Sequence, residues 1–138
     1  MSERMILLVE DNPSDIALTR RALSKSAITN PLVVAEDGQQ ALDYLQGADE
    51  LPILILLDLK LPRLDGLEVL RRVRGDPRMR RIPVVILTSS LEEQDVAAGY
   101  DLGSNSYIRK PVDFTQFAEV VKQLGLYWLV INQPPPQV

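Results

Sequence analysis

Five short aliphatic runs, at residues 5–9, 32–35, 53–57, 84–87 and a weaker one at 106–109, recur along the chain with helix-like segments between them. Strands separated by helices pair in parallel, because each helix carries the chain back across the sheet before the next strand begins. The third run, Ile-Leu-Ile-Leu-Leu, shows no polar alternation, so both its faces must be buried. Such a strand belongs at the centre of a parallel sheet covered on both sides. The expected architecture is therefore a doubly wound α/β sandwich, (βα)5, with strand order 2-1-3-4-5 and ligand chemistry at the carboxyl ends of the strands. At 138 residues the chain fits one such domain, which buries roughly two-thirds of its unfolded surface.

Local signals place the helices. Asn12-Pro13 is a cap followed by proline at the first helical position, and it predicts a helix to about residue 26. The second helix starts near Asp37-Gly38 and carries Ala41, Leu42 and Leu45 inward. Asp65 caps the third, which buries Leu67, Leu70 and Val73 and stops before Gly75-Asp76-Pro77. The fourth covers about residues 91–102 and ends at Gly103. The fifth starts near Asp113 with Phe117, Val120, Val121 and Leu124 on one face.

Composition narrows the chemistry. With no His and no Cys, this chain cannot supply a Cys/His zinc site, a catalytic thiol, a disulfide or an imidazole base. Fifteen Lys plus Arg against 19 Asp plus Glu give a net charge of −4, which argues against a nucleic-acid binder. The basic cluster from Arg71 to Arg81 reads as a solvated helix face and turn. The longest apolar runs fall far short of the roughly 20 residues of a membrane span, and the first residues lack the apolar core of a signal peptide. A cytoplasmic protein is expected.

The residue after each strand defines a candidate site. Glu10 and Asp11 close the first strand, Asp58 the third, Thr88 the fourth and Lys110 the fifth. A parallel sheet brings these ends to one rim. Singly, each acid could be a helix cap or a solvated turn, and Thr88-Ser89-Ser90 could equally be a helix N-cap. Together the bland reading weakens, since two carboxylates about 5 Å apart repel by ~3 kcal/mol at an effective dielectric near 20. A cation or a raised pKa is required, and an all-oxygen donor set selects a hard ion, Mg²⁺ before zinc or copper. The Lys110-Pro111 bond is expected trans on local grounds, as only ~5% of such bonds are cis in folded proteins.

These residues match a pattern. Leu-Val-Glu10-Asp11-Asn12, Ala35-Glu-Asp37-Gly38 with Ala41-Leu42, Leu57-Asp58-Leu59 with Leu61-Pro62 and Asp65-Gly66, Thr88-Ser89, Tyr107 and Lys110-Pro111, in this order and spacing, resemble the receiver domain of two-component response regulators. The resemblance spans about residues 5–124. It implies a flavodoxin-like fold, with Asp58 as the phosphoacceptor that attacks a phosphohistidine. It also implies Mg²⁺ held by Asp11, Asp58 and the backbone carbonyl of Lys60, with Glu10 acting through water. Lys110 and Thr88 would bond phosphoryl oxygens, Thr88 and Tyr107 would form the switch, and Lys110-Pro111 would be cis. On residues alone, Tyr107 is half-buried packing. Since the chain has no histidine, the donor must be a histidine kinase or phosphotransfer protein acting in trans.

Two positions depart from the usual pattern. Glu10 is one methylene longer than Asp, which suits contact through water. Lys60, two residues after the phosphoacceptor, stands where an uncharged residue is frequent. Its side chain is expected either to border the phosphoryl group and slow autodephosphorylation or to be a solvated loop residue.

The domain organisation expected is a receiver at residues 1–124 and a C-terminal extension at 125–138, without an effector domain. The extension, Leu126-Tyr-Trp-Leu-Val-Ile131 before three prolines, is too apolar for a monomer surface and resembles the tail of regulators paired with phytochrome-type histidine kinases. A homodimer with Tyr127, Trp128 and Ile131 as anchors is expected, the alternative being an arm that folds back over its own domain. A phosphohydrolase of the aspartyl-phosphate type would need a general-acid Asp where Lys60 stands, so the chain is expected not to be an enzyme. An interaction domain that is never phosphorylated would not need all five site groups, and a flavin or nucleotide domain lacks its glycine-rich loop. The function expected is phosphoacceptor signalling, either as terminal output or as a relay intermediate or phosphate sink.

Overall fold

Adjacent strand residues feed two different cores. Leu7, Val9, Ile55, Leu57, Val84 and Ile86 point to one face of the sheet, and Ile6, Leu8, Leu54, Leu56, Val85 and Leu87 to the other. This follows from the two-residue period of a strand with both faces covered. The computed structural model describes residues 4–89, 92–110 and 113–136. The elements are β1 (Ile6–Val9), α1 (Pro13–Lys25), β2 (Leu32–Ala35), α2 (Gly38–Gly47), β3 (Leu54–Leu57), α3 (Gly66–Gly75), β4 (Val84–Thr88), α4 (Glu93–Asp101), β5 (Ser106–Arg109) and α5 (Phe114–Gly125). The sheet is parallel throughout with order β2-β1-β3-β4-β5, as expected. Leu7 pairs Val33 on one side and Ile55 on the other.

Ala22 and Leu23 of α1 with Phe117, Val121 and Leu124 of α5 close the second core. The first is closed by Ala41, Leu42 and Leu45 of α2 and Val69, Leu70 and Val73 of α3; Leu67 is only partly buried against it. Side-chain caps are where the sequence places them. Asn12 accepts from the N–H groups of Ser14 and Asp15, Asp37 from Gln40, Asp65 from Glu68 and Asp113 from Gln116. The exception is α4, shorter than the expected 91–102, whose cap position Glu92 makes no side-chain cap bond. Residue 91 lies outside the described residues. Since α4 starts at Glu93, Thr88 is not its cap.

The basic cluster is tied to the fold at several points. Arg71 and Arg72 pair with Glu68, while Arg74 donates to the carbonyls of Gly103 and Ile82 and Arg78 to that of Leu45. After α5 the chain widens into a π-helical segment, Leu126–Ile131, with the Asn132 N–H bonded to the Tyr127 carbonyl. Trp128 and Leu129 pack against the second core, whereas Leu126, Tyr127, Val130 and Ile131 are exposed. Among the described residues no helix is long and apolar enough to cross a membrane.

Candidate functional site

The sheet ladder runs one residue past the strands and so sets the site. The Glu10 N–H bonds the Ala35 carbonyl at 2.9 Å, that of Asp58 bonds Val9 at 3.0 Å, and that of Lys110 bonds Thr88 at 2.8 Å. Consecutive side chains alternate sides from there. Glu10, Asp58 and Thr88 are buried and Asp11 is exposed.

Lys110 sits at the centre. Its Nζ donates to Glu10 Oε1, to Asp15 Oδ2 at 2.9 Å and to Asp58 Oδ2 at 3.2 Å. Three of the residues expected at the rim, Glu10, Asp58 and Lys110, therefore meet, and a further acid, Asp15, joins them. Asp15 was not among the residues predicted for the site, because an acid in the first turn of a helix is ordinary there, favoured by the helix dipole. What brings it in is Asn12, whose side chain fixes the entry of α1 and so turns that first turn toward the rim.

Glu10, Asp11 and Asp58 each offer a carboxylate oxygen, and these oxygens all lie within 4.8 Å of one another. The electrostatics match that crowding. Burial, with a smaller contribution from the Asp58 charge, pushes the Glu10 carboxyl up to about 7, against the opposing pull of Lys110 and the Asn12 N–H. Burial alone would lower the Lys110 ammonium, but its bonds to Glu10 and Asp15 and the charges of Asp58 and Glu10 win and raise it. Such a set of hard oxygen donors, short of positive charge, fits a divalent ion with some waters retained.

Two glycines keep the loops close. A Cβ on Gly66 would stand 2.2 Å from the Asp58 carbonyl oxygen, so the start of α3 can lie against the Asp58 backbone only as glycine. Gly99 in α4 does the same for Tyr107: its Cβ would meet the ring at 3.2 Å and Ile86 Cδ1 at 2.9 Å. Tyr107 is half-buried against the first core. The Lys60 N–H lies 3.5 Å from Asp58 Oδ1, at the limit of a hydrogen bond, while its ammonium reaches away to Asp95 of α4. Pro111 lies outside the described residues, and with it the expected geometry of the Lys110-Pro111 bond.

Known proteins share this fold. The response regulator receiver domain profile matches residues 6–122. The chain is 41% identical over 135 residues to the probable methanogenesis regulatory protein FilR2 of Methanothrix harundinacea, covering 95% of this chain and 87% of that protein. It is 40% identical over 131 residues to response regulator Rcp1 of Synechocystis, covering 91% and 89%, and a crystal structure of a Mn²⁺-bound Rcp1 superposes with a TM-score of 0.89 at 38% identity, covering 96% and 99%. The crystal structure of the phosphorylated cyanobacterial phytochrome response regulator RcpA superposes with a TM-score of 0.93 at 40% identity, over 98% of this chain and 100% of that one. Receiver domains bind a divalent metal at an acidic site of this kind, are phosphorylated by histidine kinases and are generally signalling rather than catalytic domains. With the profile spanning most of its length and relatives of similar size sharing its sheet, the chain belongs to the response regulator receiver domain family and serves as a phosphoryl acceptor in two-component signalling.

Proposed function

We propose that Asp58 is the phosphoacceptor and that the bound ion is Mg²⁺. The observation that carries this reading is the meeting of Glu10, Asp58 and Lys110 at the strand ends, with Asp11 close by. An Asp58 carboxylate oxygen forms the O–P bond as the P–N bond of a phosphohistidine breaks, and the departing imidazole keeps the electron pair and takes up a proton. Asp11, Asp58 and the Lys60 carbonyl would hold the ion, with Glu10 acting through water. When bound, Mg²⁺ would neutralise charge on the phosphoryl oxygens. Lys110 pairs with one phosphoryl oxygen and the Thr88 hydroxyl donates to another, in a site largely shielded from water where such donors count most. As Thr88 moves toward the phosphoryl group, Tyr107 is drawn inward over Gly99.

Donation comes in trans from a histidine kinase, and the likeness to RcpA favours a phytochrome-type kinase. We read residues 1–124 as the receiver and 125–138 as an arm for a homodimer in the cytoplasm, with Tyr127, Trp128 and Ile131 as anchors and no nucleic-acid or membrane partner. The exposed Leu126, Tyr127, Val130 and Ile131 support that reading. Incubation with Mg²⁺ and acetyl phosphate or phosphoramidate, followed by intact mass, is expected to add one phosphoryl group to wild type and none to Asp58→Asn. A wild type that stays unmodified sinks the mechanism. For the arm, truncation after Leu124 is expected to halve the sedimenting mass, and an unchanged dimer mass rules it out.

A further inference from the structure

Lys60 starts at the phosphoacceptor and ends elsewhere. Its backbone N–H is 3.5 Å from Asp58 Oδ1, yet its Nζ lies 3.5 Å from Asp95 Oδ2 in the first turn of α4. The pair spans a cleft of about 370 Å³ lined also by Leu59, Leu61, Asp65 and Leu67. The two partners differ in freedom: the Lys60 side chain is 64% exposed and that of Asp95 12%. The carboxylate is the fixed end and the ammonium the movable one.

We propose that Asp95 is a positioning residue that holds the Lys60 ammonium off the phosphoryl site, and that phosphorylation of Asp58 draws Lys60 across, away from α4. The proposal rests on Asp58 being the phosphoacceptor. A phosphoryl group carries about −1.5 to −2 charge and three strong acceptor oxygens, against a single negative charge on Asp95. Lys110 serves only part of that demand, since its three ammonium protons already go to Glu10, Asp15 and Asp58 and a phosphoryl oxygen gains one only as an acid gives it up. Arg63, in the same loop as Lys60, leans toward Asp37 at 3.8 Å. Lys60 is a neighbouring cation with a long flexible stem, and because its own end of the pair lies in water it can exchange partners.

The test is a double-mutant cycle of Asp95→Asn and Lys60→Met, read by beryllofluoride affinity in the presence of Mg²⁺, with phosphate lifetime after acetyl phosphate as a second readout. Asp95→Asn should tighten beryllofluoride binding about two- to fivefold and Lys60→Met should weaken it by a similar factor, the range of an ion pair open to water at its lysine end. In the Lys60→Met background, Asp95→Asn should then change nothing. Lifetimes should lengthen in Asp95→Asn only when Lys60 is present. Equal effects of Asp95→Asn with and without Lys60, or no effect at all, overturn the latch. If Asp95→Asn fails to fold, the exposed Lys60→Met decides by itself: weakened binding supports the latch and unchanged binding overturns it. A wild type that acquires phosphate while the cycle is additive removes the latch alone. A wild type that acquires none removes both the latch and the reading of Asp58.

Discussion

Replacing the proposed phosphoacceptor should make the metal-free protein more stable. In Asp58→Asn the change removes one of three carboxylates whose oxygens lie within 4.8 Å of one another. At that separation and an effective dielectric of about 20, each pair of full charges repels by about 3.5 kcal/mol, so Glu10 and Asp11 together oppose an ionised Asp58 by about 7. Lys110 at 3.2 Å returns about 5 kcal/mol on the same scale. Asp11 is exposed and its share is partly screened, which leaves a net gain on neutralisation of about 1 kcal/mol. For a domain of this size that is about 3 to 4 °C in Tm. The pH dependence has a definite sign. Glu10 titrates near 7 in the fold, above the ordinary 4.5, so its ionisation destabilises progressively between those values and fully above them. Asp58 contributes to that elevation, and the gain from Asp58→Asn is therefore larger at about pH 8.5 than at about pH 6. Thermal and urea melts in chelator and in saturating Mg²⁺ test this, the ion being expected to shrink or reverse the difference. A metal-free Asp58→Asn less stable than wild type by more than about 1 kcal/mol at the alkaline pH would refute the reasoning, because the Lys110 bond would then outweigh the repulsion.

The same geometry supports other expectations. Gly66→Ala places a Cβ 2.2 Å from the Asp58 carbonyl oxygen and 2.7 Å from Leu59 Cα, both backbone atoms, and should cost about 3 kcal/mol or more; a wild-type urea midpoint would contradict it. Mg²⁺ affinity should climb with pH through about 7 and binding should release protons, since the ion favours ionised Glu10; calorimetry in two buffers of different ionisation enthalpy measures this, and a flat affinity between about pH 6 and 8 speaks against it. Asp15→Ala should alter stability by no more than about 1 kcal/mol and leave phosphoryl uptake at least as fast as in wild type, slower uptake being the contrary result.

The fold was readable because its information is local. The strands at 32–35 and 106–109 have the expected limits, and the unbroken aliphatic run at 53–57 gives the central strand, since only burial on both faces accounts for it. Asn12, Asp65 and Asp113 each announced a helix through a cap that is formed. The fourth helix was less legible for the converse reason: Glu92 makes no side-chain cap bond, and the cap signal the sequence offers at Thr88 lies short of where the helix begins. In the site, the positions of Glu10, Asp58, Thr88 and Lys110 follow from the strand ends. Asp15 and Asp95 do not, because each sits on a helix where an acid needs no special explanation, and each meets its lysine only through tertiary packing. Sequence reading brought Lys60 to the phosphoacceptor but could not give the direction of its side chain.

Lys110 imposes an order on what the site can do. An ammonium has three N–H donors, and here all three are taken by carboxylates, so a phosphoryl oxygen gains a bond to Lys110 only when one acid gives up its own. The three acids differ in the cost of release. Glu10 is 3% exposed, Asp58 10% and Asp15 26%. A carboxylate set free in the interior keeps its desolvation penalty, whereas one near the surface recovers water in place of the lost bond. Asp15 is accordingly the acid that yields, and Lys110 then stays fixed by Glu10 while it turns to the phosphoryl group. Asp15 thus holds the ammonium in place before phosphorylation and is the partner it can release with least loss.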